Sequence, residues 1–333
     1  MKESRLTTQQ WLQALIEPGF ILSKAMSYYI ETNIKAILRG QVLAPILRSQ
    51  ELRDEAFGRF WVAFSCTFPS PSSLEESLYP RRVAPNSHLA NRADPQPTLD
   101  ADSQPQAQNQ AQLPTSPGEI QNSTELIPAI LAQASGLVLD VGPGTGTQMP
   151  LLKSPSIEAI YGAEPCVGLH AELRKRAADE GLSEKYTILP CSVVQKELEG
   201  ELEKHGLVSE GGERGGVFDT IITVRVLCSV PEFERTTAEL YSLLKPGGKM
   251  LVVEHVVNSW MTPKGSVLAR VLQGAYHAFG WRWVMGDCCM NRDTEGVLRK
   301  VAEKDGGWES FEMDRWFGTT CLPYITGVLV KRK

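Results

Sequence analysis

The 333-residue chain has no C-x-x-C pair, no long apolar run and no basic excess, and each absence excludes something. Its seven cysteines, Cys66, Cys166, Cys191, Cys228, Cys288, Cys289 and Cys321, are odd in number and scattered. That spacing speaks against a structural zinc site, so no metal is expected, and the thiols read as reduced groups of a cytoplasmic protein. A net charge of -5 without a clustered basic stripe speaks against nucleic acid as a partner. The opening MKESRLTTQQWLQAL carries no secretory pattern. Glu17, Pro18, Lys24 and Glu31 then interrupt every apolar stretch well short of the roughly 18 to 20 residues of a spanning helix. A G-x-x-x-x-G-K-[ST] phosphate loop and a G-x-G-x-x-G dinucleotide fingerprint are also missing.

What is present falls into three parts. Residues 1–67 read as a helical N-terminal segment ending in FGRFWVAF (57–64). Within it, Trp11, Leu12, Leu15, Phe20, Leu22, Met26, Tyr29 and Ile30 recur at loosely helical spacing. Two readings stand: a stripe packed on the rest of the protein, the usual fate of such a face, or a helix lying peripherally on an intracellular membrane surface. Residues 68–123 are rich in Pro, Ser, Gln, Asn and Ala and poor in large apolar residues. Such a stretch buries too little surface to offset its ordering entropy and reads as a disordered linker. From 124 to 333, short apolar strands alternate with helical patterns: GLVLDV (136–141), IEAIYGA (157–163), YTILPC (186–191), VFDTIITV (217–224) and KMLVVEHV (249–256). The intervening helices are expected at 165–182 and 231–244, with Pro231 in a first turn and KPGG (245–248) as a stop signal and turn. Apolar strands alternating with helices imply an α/β protein with a Rossmann-like, mostly parallel sheet covered on both faces.

The strongest local signal is LVLDVGPGTGTQM (137–149). A buried strand ends in Asp140, then Gly142, Gly144 and Gly146 alternate. Glycines are needed where a chain turns tightly and a ligand lies directly on its backbone. The spacing D-x-G-x-G-x-G suits a nucleoside cofactor without phosphates, and S-adenosyl-L-methionine is such a cofactor. Glu164 ends the second strand, 24 positions after Asp140, where a carboxylate can accept hydrogen bonds from both ribose hydroxyls.

With those motifs in order, and with VFDTIIT and LLKPGG after them, residues 124–333 resemble class I S-adenosylmethionine-dependent methyltransferases. VRVLCSVP (224–231), VVEHV (252–256) and GDCCMNRDT (286–294) are similar to segments of the methyltransferase-like protein 7 family of thiol methyltransferases and its fungal relatives. FGRFWVAF looks like the entry segment of fungal members. The resemblance implies seven strands with an antiparallel last strand at CLPYITGVLV (321–330), and a small-molecule acceptor methylated on S, N or O, as in specialised (secondary) metabolism. The alternative is a membrane-associated lipid or alkyl-thiol methyltransferase. The third strand ends in PCSV rather than in an acid, so Cys191 and Ser192 are expected to serve the adenine through backbone groups. Thr223 completes the expected cofactor set, and with Arg225 stands near the end of the fourth strand, where substrate contacts occur. TVRVLC there contains no [DN]-P-P-[YF], which argues against amino methylation of adenine or cytosine.

Methyl transfer needs positioning, a dry pocket and, for an acceptor carrying a proton, a base. His255, at the carboxyl end of the fifth strand, is the first candidate base and His277 the second. Arg292 could pair with Asp287 or with an acidic substrate, and a structural ion pair is favoured over a catalytic role. Tyr276, Phe279, Trp281 and Trp283 fit an apolar pocket and plain core equally well.

Overall fold

The computed structural model describes residues 2–4, 6–65, 119–208 and 216–333. Cys66 and residues 68–118 of the Pro/Ser/Gln-rich stretch lie outside them. The main sheet has seven strands, here β1 Gly136–Val141, β2 Ile157–Ala163, β3 Tyr186–Leu189, β4 Phe218–Val224, β5 Leu244–His255, β6 Ser310–Trp316 and β7 Tyr324–Val330. Their order across the sheet is β3-β2-β1-β4-β5-β7-β6, and β7 alone runs antiparallel to its neighbours. The order reverses between β1 and β4. That switch point opens a crevice at the carboxyl ends of the central strands, and the glycine loop leaves β1 there.

The central strands are largely apolar because both faces are covered, whereas the edge strand β6 (SFEMDRW) carries exposed charges. Val138 of β1 points to one layer with Leu131, Met149 and Leu173, while Leu139 and Val141 point to the other with Leu198, Leu202 and Leu240. KPGG does not separate helix from strand as its turn residues suggest. Leu244 already pairs with Phe218, and residues 245–248 form an irregularity inside β5 before Lys249 pairs with Thr220. Gly247, at φ +78, supplies the left-handed step that this break requires. Pro231 stands ahead of its helix, which runs Phe233–Leu243, rather than in its first turn.

The N-terminal segment folds into α1 (Thr8–Leu38), a short turn of helix at Ala44–Leu47, and α2 (Ser49–Ser65). Thr7 and Gln10 form a reciprocal capping box that starts α1, a device that contributes about 1 kcal/mol. Pro18 lies inside α1. One turn earlier, the Leu15 carbonyl accepts the Tyr276 hydroxyl at 3.0 Å. Leu15 and Ala25 are buried against the segment that follows β5. The segment is tied down again where Lys2–Glu3 pairs in parallel with Glu119–Ile120. That second strand falls inside the stretch expected to be linker, so regular structure resumes before residue 124.

Candidate active site

Gly142, Gly144 and Gly146 all have positive φ, at +57, +61 and +72. Each also abuts a side chain where a Cβ would stand: Val226 at 2.4 Å from Gly142, Trp61 at 2.9 Å from Gly144, and Leu173 at 2.9 Å from Gly146. Each glycine is therefore required twice over, by its left-handed backbone and by the side chain packed against it.

Glu164 is 5% exposed. Its Oε2 accepts the Gly144 N–H at 2.9 Å and its Oε1 accepts the Cys166 N–H at 2.8 Å. A carboxylate has further lone pairs on each oxygen, so two ribose hydroxyls can still be accepted while the loop stays pinned. Burial raises the Glu164 pKa, and the two backbone N–H donors work against that rise. His170 holds the strand end from below, with Nε2 2.8 Å from the Glu164 carbonyl.

Asp140 behaves differently. It is 7% exposed, and its Oδ2 accepts the Tyr186 hydroxyl at 2.8 Å. Tyr186 starts on β3 and must cross β2 to reach β1. It does so over Gly162, where a Cβ would stand 2.4 Å from the phenol oxygen. Asp140 thus anchors the root of the loop to the neighbouring strands rather than facing the crevice. Burial pushes its carboxyl up to about 6; the Tyr186 hydrogen bond lowers it and the Glu164 charge adds to the rise. Because the folded value lies above the ordinary 3.8, the stability that the protonated group supplies is complete below about pH 3.8 and lost as pH rises through about 6. The loss is on the order of 3 kcal/mol. Urea unfolding between about pH 4 and 6 is expected to show stability falling with rising pH in the wild type, with a flatter course in Asp140→Asn; equal slopes would contradict the assignment.

The other candidates stand in varied surroundings. Cys191 is buried just beyond β3, where burial first and then Glu201 and Glu197 push its thiol up to about 12. Its thiol is therefore inert, and its N–H already donates to the Leu189 carbonyl at 2.9 Å. The Ser192 N–H donates to Glu197 Oε2 at 3.0 Å. Thr223 is fully buried within β4, where its hydroxyl donates to the Leu251 carbonyl at 3.4 Å. Arg225 has φ +57, and its guanidinium donates to Ser123 and Thr124, tying the lead-in to β1 against the strand ends. Asp287 does not pair with Arg292. Its carboxylate takes both Arg53 nitrogens of α2, at 3.1 and 2.9 Å, while Arg292 donates to the Leu227 carbonyl and lies over Phe233. The pairing follows burial: Arg53 is 6% exposed and must be matched by carboxylates, here Asp54 and Asp287. Of the aromatic group, Trp281 is core and Phe279 is 75% exposed.

His255 sits where expected at the end of β5, but it is not free. It is buried, and its Nε2 lies 3.2 Å from Cys288 Sγ. His277 lies half-buried in the helical segment after β5, where burial and then the charge of Arg282 lower its pKa.

What covers the loop is visible only in the fold. Trp61 of α2 stands over Gly144, and Ser65 Oγ accepts the Thr145 hydroxyl at 3.0 Å. Gly58 of the same helix faces Cys166, next to Glu164. The N-terminal helix therefore forms the roof of the glycine loop. The run of FGRFWVAF aromatics three and four apart is the one sequence signal that marks a face here. Glu254 is a further residue that no motif singles out. It is completely buried beside the loop, and its Oε1 accepts the N–H groups of Val226 and Leu227 at 3.0 Å, which holds Val226 against Gly142.

Against known families, residues 117–304 match the family described as "Methyltransferase domain", more than half of the chain. The chain belongs to that family. It is a class I S-adenosylmethionine-dependent methyltransferase. It is similar to a phosphatidylethanolamine N-methyltransferase of Cereibacter sphaeroides, at 24% identity over 171 residues, covering 51% of this chain and 72% of that one. It is also similar to the highly reducing polyketide synthase valA of Aspergillus terreus, at 30% identity in a 148-residue alignment that covers 39% of this chain and 6% of the synthase. Among solved structures, an O-methyltransferase family protein from Burkholderia thailandensis shows 14% identity and a TM-score of 0.43 over 63% of this chain and 56% of that one. The N-methyltransferase NodS from Bradyrhizobium japonicum, in complex with S-adenosyl-L-homocysteine, shows 12% identity and a TM-score of 0.40 over 63% and 86%. In the methyltransferase, the glycine loop is pinned to the buried strand-end acid, with Trp61 standing over Gly144.

Proposed function

We propose that the protein transfers a methyl group to a small-molecule acceptor, with Gly142, Gly144, Gly146 and Glu164 holding S-adenosyl-L-methionine and the backbone at Cys191 and Ser192 bordering its adenine. When bound, the cofactor supplies an electrophilic methyl group on a sulfonium. The chain's own work is to position and to exclude water: Glu164 fixes the loop, Glu254 fixes the Val226 turn beside it, and Trp61 closes over Gly144. The observation that bears most on the acceptor is His255. With Nε2 turned to Cys288, it is a poor general base for an alcohol. That favours an acceptor that gives up its proton with little help, a thiol first and an amine second. The motif resemblance to thiol methyltransferases supports the same reading, and the similarity to a segment of a polyketide synthase supports a role in specialised metabolism. A panel of small thiols, amines and alcohols, read by release of S-adenosylhomocysteine, is expected to give turnover with thiols or amines. Turnover confined to alcohols would overturn the acceptor assignment.

A second reading rests on the surface. Among the described residues, no helix is long and apolar enough to cross a membrane. Yet one face of α1 leaves Leu12, Ile16 and Phe20 exposed at four-residue spacing, and Val267, Leu268 and Val271 are exposed on the nearby Val267–Tyr276 helix. An amphipathic face of this kind suits the boundary of a bilayer, and a lipid-borne acceptor would be delivered there. The similarity to a phosphatidylethanolamine N-methyltransferase supports this reading. Flotation with phosphatidylcholine–phosphatidylethanolamine vesicles is expected to recover the wild type but not Ile16→Glu/Phe20→Glu; equal recovery of both would remove the membrane reading.

A further inference from the structure

Behind the glycine loop, three side chains from three separate segments meet in the core. Cys228 comes from the turn after β4, His255 from the end of β5, and Cys288 from the GDCCMN segment. Their donor atoms all lie within 4.8 Å of one another, and all three residues are buried. We propose that Cys228, His255 and Cys288 form a Zn2+ site.

The donor chemistry fits. Two thiols and an imidazole are the mixed sulfur and nitrogen set that zinc takes in tetrahedral sites, and three protein ligands leave one position for an exogenous group. Ligand atoms on a tetrahedral zinc stand about 3.6 to 3.8 Å apart. The 3.2 Å between His255 Nε2 and Cys288 Sγ would therefore open by about 0.4 Å. That is a side-chain adjustment, not a backbone one.

One further observation fits a ligand there. The Trp281 indole N–H donates to Cys288 Sγ at 3.2 Å, the kind of outer hydrogen bond that stabilises a metal-bound thiolate. On binding, two S–H protons leave for solvent, two Zn–S bonds and one Zn–N bond form, and the other ring nitrogen keeps its proton.

The site would be assembled only by the fold. The three ligands are 27 and 33 residues apart in sequence, so no local cysteine pair announces it. The ion would clamp together the turn that supports the loop, the end of β5, and the segment whose Asp287 holds Arg53 of the roof helix. Zinc binding here is independent of which acceptor is methylated.

The test is zinc content of the purified full chain by plasma mass spectrometry, before and after incubation with ZnCl2 and desalting, alongside Cys228→Ser, Cys288→Ser and Cys289→Ser. The expected result is about one zinc per chain in the wild type and in Cys289→Ser, and at least a tenfold loss in the other two. CoCl2 added to the zinc-free wild type should produce thiolate-to-cobalt charge-transfer absorption, a readout that needs no variant to fold. S-adenosylhomocysteine binding by each variant separates loss of metal from loss of fold. A folded wild type that takes up neither zinc nor cobalt would overturn the site, as would undiminished zinc in a folded Cys228→Ser.

Discussion

Glu164→Ala is expected to weaken S-adenosylhomocysteine binding by about 2 kcal/mol or more, close to thirtyfold. Two losses combine. The ribose loses its carboxylate acceptor, and the loop loses the pin from Gly144 N–H to Oε2. The second loss matters because the Gly144 N–H sits under the roof helix, where water cannot easily replace the carboxylate. Glu164→Gln keeps one carbonyl acceptor but must place an NH2 against one of two N–H donors, so its binding should fall between wild type and alanine. The wild-type affinity should also fall on acidification, beginning above the usual carboxylate range, because burial raises the Glu164 pKa. Calorimetry on the three proteins checks the order; equal affinities in all three would move the ribose site elsewhere.

Gly142→Ala is expected to disturb the cofactor loop strongly. The residue has φ +57, which costs an L side chain roughly 1 to 2 kcal/mol. The new Cβ would also stand 2.4 Å from Val226 Cγ2. The Val226 main chain is held by the buried Glu254, so relief has to come from turning its β-branched side chain out of its rotamer. Overpacking of this sort costs about 1 to 3 kcal/mol more, and the displaced turn lies beside the cofactor loop. The expected outcome is a destabilised protein with cofactor binding weakened at least tenfold. Gly181→Ala is the matched control. It has φ +71, yet a Cβ there meets nothing within 4 Å, so only the conformational cost remains and binding should be unchanged. Similar binding losses in the two variants would show that backbone strain alone, and not the Val226 contact, sets the requirement.

The fold is legible in the sequence where pattern and burial agree. GLVLDV and IEAIYGA become β1 and β2 to the residue, because a strand covered on both faces must be apolar along its whole length. KPGG misleads because Pro and Gly mark turns locally, while Leu244 already bonds Phe218 through the sheet. The glycine loop is legible as a tight turn because its three left-handed positions leave glycines at a fixed spacing, and Glu164 because it directly follows its strand. Asp140 stands where that spacing puts it but faces Tyr186 rather than the crevice, and nothing in D-x-G-x-G says that a phenol reaches it across Gly162. Side-chain partners between distant segments are the least legible. Arg292 looks like the mate of Asp287 from proximity in sequence, but the buried Arg53, 234 positions away, has the stronger need for a carboxylate. His255 looks like a base because of its strand end, and only the fold shows the sulfur beside it.

The decisive experiment is calorimetric titration of S-adenosylhomocysteine into the wild-type protein, with circular dichroism to show that it is folded. Saturable one-to-one binding is expected, because the loop backbone, Glu164 and the roof at Trp61 are already in place. A folded protein that takes up no S-adenosylhomocysteine would contradict the cofactor site and leave the glycine loop as a structural turn.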